Sequence, residues 1–202
     1  MFYEPKAGYP LPYNPFKSCV APRPIGWIST VSRDGIVNLA PFSYFNAVHD
    51  DPPIVLFSAT GPHVEGSIKD SALNAKETGE FVYNMATWEL REKMNLSSAP
   101  VPRNADEFEL AQLGKLPSRL VKAPRVAESP VQFECKTVQT VELSPLNTVV
   151  FGEVIGIHID ERIVTDGRID LKKALPIARL GYMEYTVVRE IFEMNRPATR
   201  SS

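Results

Sequence analysis

Hydroxyl side chains and one lysine recur where apolar segments end in the N-terminal part of the chain. The set comprises Ser29, Thr30, Ser43, Ser58, Lys69 and Ser71. Hydroxyl groups, the free N–H groups of a helix N-terminus and a single cation are together able to hold a phosphate group. Solvated serines and an ordinary helix start would produce the same pattern, so the spacing by itself leaves both interpretations open.

Aromatic side chains alternate with these hydroxyls, most densely in the tract NLAPFSYFN at 38–46. They are Trp27, Phe42, Tyr44, Phe45 and Phe57. A flat ring could rest on such an apolar surface while its polar tail meets serine, threonine and lysine groups. Part of this aromatic set is expected to be ordinary core, and the tract predicts one wall of a binding site.

Other kinds of chemistry find less support in the sequence. His49, His63 and His158 have no second histidine, cysteine or carboxylate at a metal-ligand spacing, so no metal site is predicted. The chain has no GxSxG nucleophile elbow, no Walker-type phosphate loop and no GxGxxG dinucleotide motif. No catalytic residue is therefore assigned.

The composition predicts one globular domain over residues 1–202. Hydrophobic residues make up 44% of the chain and the formal net charge is -2, which provides no overall basic field for nucleic acid or an anionic membrane. Cys19 and Cys135 are too few for a disulfide framework and are expected to be free thiols. No secretory signal and no run of about 18 apolar residues occurs, so a cytoplasmic protein is expected.

Turn residues and β-branched runs predict mostly antiparallel strands. Segment 25–31 and the apolar run that follows an Arg-Asp-Gly turn predict a β-hairpin. Segments 131–143 and 148–160 predict two long strands joined by a short loop. Gly152 and Gly156 lie inside the second of these and indicate bulges that would curve the sheet toward closure. Together, these strands and bulges predict a small antiparallel barrel.

Helical segments interrupt the predicted strands. Ser67 and Asp70 have the spacing of a capping box, before a helix that Gly79 would end. Residues 86–125 are expected to form an insertion of short helices and loops. Residues 1–18 contain four prolines among several aromatic residues, which predicts an extended arm that packs on its own domain or on a partner subunit.

Four motifs follow one another within residues 20–185: APRPIGWISTVSRDGIVNLAPFSYFNAVHDDPPIVLFSA, KDSALNAKETGEFVYN, SPVQFECK and DGRIDLKKALPIARLGYMEY. Their order resembles the flavin reductase-like, FMN-binding split-barrel family, and its flavoredoxin-like branch in particular. The resemblance implies a mainly β fold with α-helical insertions, built as an antiparallel split β-barrel of Greek-key type. It also implies a homodimer that holds FMN, with FAD as an alternative flavin, at or near the subunit interface without a covalent link.

The resemblance also implies which residues meet the flavin. Its phosphate would be held by Ser29, Thr30, Ser43, Tyr44, Phe45, Asn46, Lys69 and Ser71. Its ring would lie along the aromatic tract, with backbone groups of Ala40, Pro41, Phe42 and Ser43 near the polar edge. Ser58 belongs to the candidate set through the hydroxyl spacing described above.

Arg179 lies in the C-terminal motif of the family pattern and would serve the flavin, the subunit interface or a structural ion pair. The chain departs from the pattern at two positions. Ser71 stands where the family has threonine, which keeps the hydroxyl, and Tyr182 stands where the family has glycine.

For function, the resemblance implies a flavoprotein oxidoreductase. NAD(P)H would reduce FMN, and the reduced flavin would pass electrons to a second acceptor, such as an acceptor protein or a monooxygenase, or would leave as product. Two alternatives stay open. One is an FMN-retaining electron-transfer protein without its own NAD(P)H site, and the other is a flavin-binding module without redox turnover.

Overall fold

The computed structural model describes residues 1–197, which form mainly β-structure. Its strands are β1 (Arg23–Pro24), β2 (Gly26–Val31), β3 (Val37–Phe42), β4 (Phe45–Asp50), β5 (Pro53–Ala59), β6 (Glu80–Met85), β7 (Lys115–Leu116), β8 (Arg125–Val126), β9 (Val131–Ser144), β10 (Asn147–Ile159), β11 (Val164–Thr165), β12 (Arg168–Ile169), β13 (Ile177–Arg179) and β14 (Tyr185–Val187). Its α-helices are α1 (Phe16–Cys19), α2 (Asp70–Thr78), α3 (Arg91–Leu96), α4 (Glu107–Leu110) and α5 (Leu171–Ala174). Two 3-10 helices lie at Pro5–Ala7 and Glu161–Ile163.

Seven antiparallel strands form the main sheet, in the order β3-β2-β6-β9-β10-β5-β4. The hairpins β2–β3 and β4–β5 therefore lie at opposite ends of the sheet. The ring centroids of Phe42 on β3 and Phe57 on β5 are only 5.1 Å apart, so the two ends curl toward each other. The sheet is an antiparallel split barrel, and the predicted fold class is confirmed.

The barrel interior is filled by a cluster that includes Ile28, Phe57, Phe81, Cys135 and Val150, all fully buried. Because side chains alternate across a strand, the neighbours of these residues point to the outer face.

On that outer face, Trp27 and Leu39 pack against Phe108 of α4, which lies in the 86–125 segment. The Trp27 indole N–H donates to Ser97 Oγ at 2.9 Å, so this polar atom is also satisfied. The segment therefore covers one outer face of the β2–β3 hairpin.

The predicted capping box is wrong, although the helix itself forms. Helix α2 begins at Asp70 with Lys69 at the N-cap position, and no side chain caps it. Ser67 lies earlier in the loop in the left-handed region, with a φ of 64°. The predicted end is confirmed, since Gly79 has a φ of 73° and donates to Ala75 O at 3.2 Å.

The long β9–β10 hairpin has the predicted bulges. Its register shifts between Phe151 and Gly152 and again between Val154 and Gly156. A Cβ atom on Gly152 would lie 2.4 Å from the Phe81 ring, so this position admits no side chain without displacement of the core. Glycine here lets β10 cross over the packed ring.

Three further findings concern residues 1–197. None of their helices is both long and apolar enough to cross a membrane. No three histidine, cysteine, aspartate or glutamate side chains among them are grouped as metal ligands would be. Cys19 and Cys135 are free thiols, the first exposed and the second buried.

Gly152→Ala is expected to lower the free energy of unfolding by about 1–3 kcal/mol, because the added methyl overpacks the barrel core at Phe81. Urea unfolding measures the loss. Gly156→Ala on the same strand is the control, since its nearest neighbour would be the tip of Leu120 at 3.3 Å. Equal losses in the two variants would contradict the packing explanation.

Candidate functional site

Strand β3 lies at one end of the main sheet, so one of its backbone edges pairs with β2 and the other is free. A pocket runs along this free edge, between β3, the start of α2 and the loop after α3. Its lining includes Asn38, Ala40, Pro41, Phe42, Pro62, His63, Val64, Lys69, Asp70, Ser71, Glu107 and residues 97–101. The aromatic tract therefore does form one wall of a pocket.

A buried hydrogen-bond network fixes the floor of this pocket. The Asn38 side-chain oxygen accepts from Ser71 Oγ at 2.7 Å, and its amide nitrogen donates to Glu107 Oε1 at 2.9 Å. Thr30 Oγ1 accepts from Asn74 Nδ2 at 3.0 Å. These groups are all buried, and their bonds join β2, β3, α2 and α4.

Glu107 binds the free edge of β3 directly. Its second carboxylate oxygen accepts from the Leu39 backbone N–H at 3.0 Å, which satisfies a strand donor that has no neighbouring strand. Burial raises the pKa of Glu107, while the hydrogen bonds from Leu39 and Asn38 act in the opposite direction. The raised pKa shows that removal of this carboxyl from water outweighs its two donors.

The start of α2 supplies positive charge to the pocket. Lys69 is half-buried, and its ammonium has no ion pair or hydrogen bond within residues 1–197. The neighbouring Asp70 carboxylate is already bound by the Arg103 guanidinium and lies 3.3 Å from His63 Nε2. The unmet charge at this helix N-terminus is therefore positive, and its free N–H groups add to the attraction for an anion.

Arg103 ties the 86–125 segment to the loop that precedes α2. Besides its contact with Asp70, its guanidinium donates to the backbone oxygens of Gly66 at 2.9 Å and Ile68 at 3.1 Å. Burial, together with the charge of Arg103, lowers the pKa of His63, so this imidazole is held toward its neutral form. Arg103 thus orders the loop that precedes α2.

Five of the predicted site residues line this pocket together: Ala40, Pro41, Phe42, Lys69 and Ser71. Thr30 lies just below it, with its hydroxyl engaged by Asn74. The polar set at the helix start and the apolar wall on β3 are thus on facing sides of one pocket.

The other predicted residues lie elsewhere in this chain. Ser29 is on the opposite face of β2 from Thr30, and its Oγ donates to Pro124 O at 2.5 Å. Phe45 stacks on Tyr83 in the barrel core, with ring centroids 4.6 Å apart. Ser58 is in β5 opposite Val149 of β10. A cofactor contact from these residues stays a prediction.

Ser43 and Tyr44 connect β3 to β4, and Asn46 is exposed on β4. Arg179 lies on β13, where its guanidinium packs 4.5 Å from the Tyr185 ring centroid and donates to the Tyr185 hydroxyl. No described contact joins these four residues to the pocket, and their role toward a cofactor also stays a prediction.

Several pocket residues were missed by the sequence prediction. Asn38 begins the aromatic tract, and an amide at the start of a strand otherwise rich in apolar residues was an available signal. Glu107 and residues 97–101 reach the pocket from the 86–125 segment, and Arg103 of the same segment contacts the pocket residue Asp70. These contacts depend on how the 86–125 segment folds against β3, and the spacing of residues within that segment does not predict them.

Comparison with known proteins identifies the class of this barrel. The family model for the flavin reductase like domain matches residues 18–176. A protein of Aquifex aeolicus is 42% identical over 167 residues, which cover 82% of this chain and 84% of the relative.

Solved structures agree with this class. Nitrilotriacetate monooxygenase component B from Bacillus cereus has a TM-score of 0.88 and 30% identity, with 96% of this chain and 98% of that one covered. The flavoredoxin of Desulfovibrio vulgaris shares the fold, with a TM-score of 0.72, 21% identity and coverage of 90% and 93%. The chain belongs to the flavin reductase-like family.

Relative to Glu107→Gln, the wild-type protein is expected to lose stability as the pH rises above about 4.3, the ordinary value for glutamate. Because the folded pKa is raised, the unfolded state releases its proton first, and the stabilisation is lost as the pH rises through the folded pKa. Urea unfolding of both proteins over a pH series measures this difference. Glu109→Gln, an exposed position on the same helix, should give a curve parallel to that of the wild type; a parallel curve for Glu107→Gln would show that its pKa is not raised.

Proposed function

We propose that the chain is a flavin reductase that binds FMN in the pocket on the free edge of β3 and reduces it with NAD(P)H. The observation that carries the proposal is the pairing, across one pocket, of an unpaired lysine at a helix N-terminus with an apolar strand wall. Membership of the flavin reductase-like family supports the same ligand class.

The residues of the pocket fit the two halves of FMN. Lys69 and the first N–H groups of α2, including the backbone N–H of Ser71, suit a phosphate, since a cation and a helix N-terminus both favour a dianion. Ala40, Pro41 and Phe42 on one side and Pro100 and Val101 on another provide an apolar slot for a flat ring.

FMN, when bound, supplies hydride acceptance and onward electron transfer, which amino-acid side chains cannot provide. The chain's part is to bind and orient. Asn38 and Glu107 hold β3 at a fixed distance from α2, so the phosphate side and the ring side keep their separation. Hydride transfer from a nicotinamide requires no protein acid or base, and we assign no catalytic residue.

We further propose that the electron acceptor is a second protein, such as a monooxygenase. Nitrilotriacetate monooxygenase component B from Bacillus cereus supports this choice, since it is 30% identical to this chain and is matched over 98% of its own length. Flavin and nicotinamide nucleotides are then the small-molecule partners, with FAD as an alternative to FMN.

A homodimer is part of the same proposal. The arm at residues 1–18 exposes large apolar side chains, including Phe2 and Tyr13, and the C-terminal part exposes Met183 and Phe192. Exposed apolar residues at both ends of one chain are suited to packing on a second copy.

Purified protein with added FMN is expected to oxidise NADH or NADPH in steady state, followed by the loss of nicotinamide absorbance. A flavin spectrum that persists through dialysis, with no oxidation of either donor, would favour an FMN-retaining electron-transfer protein. Oxidation of a donor that depends on free flavin would show that flavin acts as a substrate. Absence of any flavin binding would contradict the whole proposal.

Lys69→Ala is expected to weaken FMN binding by about tenfold or more, because a charge-assisted contact to phosphate contributes roughly 1.5–3 kcal/mol. Fluorescence titration of FMN measures the affinity. Lys76→Ala is the matched control, since Lys76 lies on the same helix but pairs with Glu142 at 2.7 Å on the surface. Unchanged affinity in Lys69→Ala would place the phosphate elsewhere.

A further inference from the structure

A second cavity lies on the outer face of the β9–β10 hairpin, with a volume of about 680 Å³. Its charged and polar lining includes Arg119, Arg125, Gln132, Glu134, His158 and Asp160. Cys135 points into the barrel core, so Glu134 beside it points to this outer side. The cavity shares no lining residue with the pocket on β3.

The two carboxylates of this cavity already have partners. Glu134 is fully buried, and it accepts from His158 Nε2 at 2.5 Å and from the backbone N–H groups of Arg119 and Leu120 at 2.8 and 2.6 Å. These donors hold the pKa of Glu134 below its usual value although burial alone would raise it. Asp160 is bound by the Arg162 guanidinium, at 2.9 Å from Nε. The Asp160 charge is thus offset by Arg162, whereas the ionised Glu134 offsets only part of the charge of the two arginines.

Arg125 is held in place with part of its guanidinium unused. Its Nη1 donates to Gln132 Oε1 at 3.2 Å, and its Nε and Nη2 donate to Pro117 O at 3.3 and 3.1 Å. An arginine side chain carries five N–H donors. These contacts occupy three of the five, so one N–H remains on each terminal nitrogen. Two such N–H groups can together donate to two oxygens of one anion.

Arg119 adds a second guanidinium that has no ion pair or hydrogen bond within residues 1–197. Burial lowers the pKa of Arg125, the nearby charge of Arg119 lowers it further, and Glu134 opposes both. Because Asp160 is paired with Arg162, two arginine charges face the single Glu134 carboxylate, and the cavity keeps a positive field.

We propose that this cavity binds the phosphate group of a small molecule between Arg119 and Arg125. Planar guanidinium groups match the oxygens of a phosphate in two-point contacts. Leu120 and Ile157 also line the cavity and are each 55% exposed, so they offer apolar surface to the body of the same molecule. The site is separate from the proposed FMN pocket and does not depend on it.

The test is an NMR titration of the protein, first without added flavin and then with one equivalent of FMN, with inorganic phosphate, AMP and benzoate as probes. Phosphate and AMP are expected to shift the amides of residues 119–125 and 156–158, and benzoate is expected to bind at least tenfold more weakly. AMP that binds no better than phosphate would overturn the role of Leu120 and Ile157. Benzoate that binds as well as phosphate would overturn the phosphate assignment.

Arg119→Ala is expected to weaken phosphate and AMP binding by about tenfold or more. Arg33→Ala, an exposed arginine on the β2–β3 turn, is the matched control and should bind as the wild type does. Lys69→Ala should also leave this affinity unchanged, which separates the site from the FMN pocket. Unchanged affinity in Arg119→Ala would overturn the proposal.

Arg162→Ala gives a second test that leaves both cavity arginines in place. It frees the Asp160 carboxylate at the cavity wall, so phosphate affinity should fall although no proposed contact is removed. Size-exclusion chromatography of Arg119→Ala and Arg162→Ala accompanies both titrations. A change of oligomeric state in place of a change in phosphate affinity would show that the arginines serve a subunit contact and would overturn the proposal.

Discussion

The side chain of Asn38 determines how the strand wall and the helix start face each other. Its oxygen binds Ser71 on α2 and its nitrogen binds Glu107 on α4, while its backbone belongs to β3. An amide can accept and donate at once, so one buried residue fixes three elements. Replacement by an apolar residue would leave the Ser71 hydroxyl and one oxygen of the Glu107 carboxylate without partners where both are buried, which is costly.

The split in the barrel makes this arrangement necessary. A closed barrel would pair β3 on both edges and leave no room for a ligand, whereas here β3 and β4 end the sheet on opposite sides. The 86–125 segment fills the outer face with Phe108 and Met94 and reaches the free edge through Glu107. The pocket therefore lies along the free edge of β3, where no further strand pairs and the 86–125 segment covers only part of the edge.

Local patterns predicted the hairpins and the bulges at Gly152 and Gly156, because each depends on residues close in sequence. They also indicated Phe42, Lys69 and Ser71, whereas Ala40 and Pro41 were implied by the family resemblance. The prediction that Ser29 and Thr30 act together is not supported by contacts of this chain, since neighbours in a strand point to opposite faces. The predicted capping box was wrong because Ser67 lies in the loop before the helix, in a left-handed conformation next to Gly66, whose carbonyl Arg103 binds. Glu107 and Arg103 come from a distant segment, and only the tertiary fold brings Glu107 to the pocket and Arg103 to the pocket residue Asp70.

An unpaired strand edge such as that of β3 promotes aggregation when it is left exposed. Unpaired strand edges join with one another between molecules and so lead to aggregation. Here Pro41 has no N–H to offer, and Glu107 both occupies the Leu39 donor and keeps a carboxyl at the edge. The residues that shape the pocket thus also keep the chain from self-association through β3, so substitutions at Pro41 and Glu107 are constrained by solubility as well as by ligand binding.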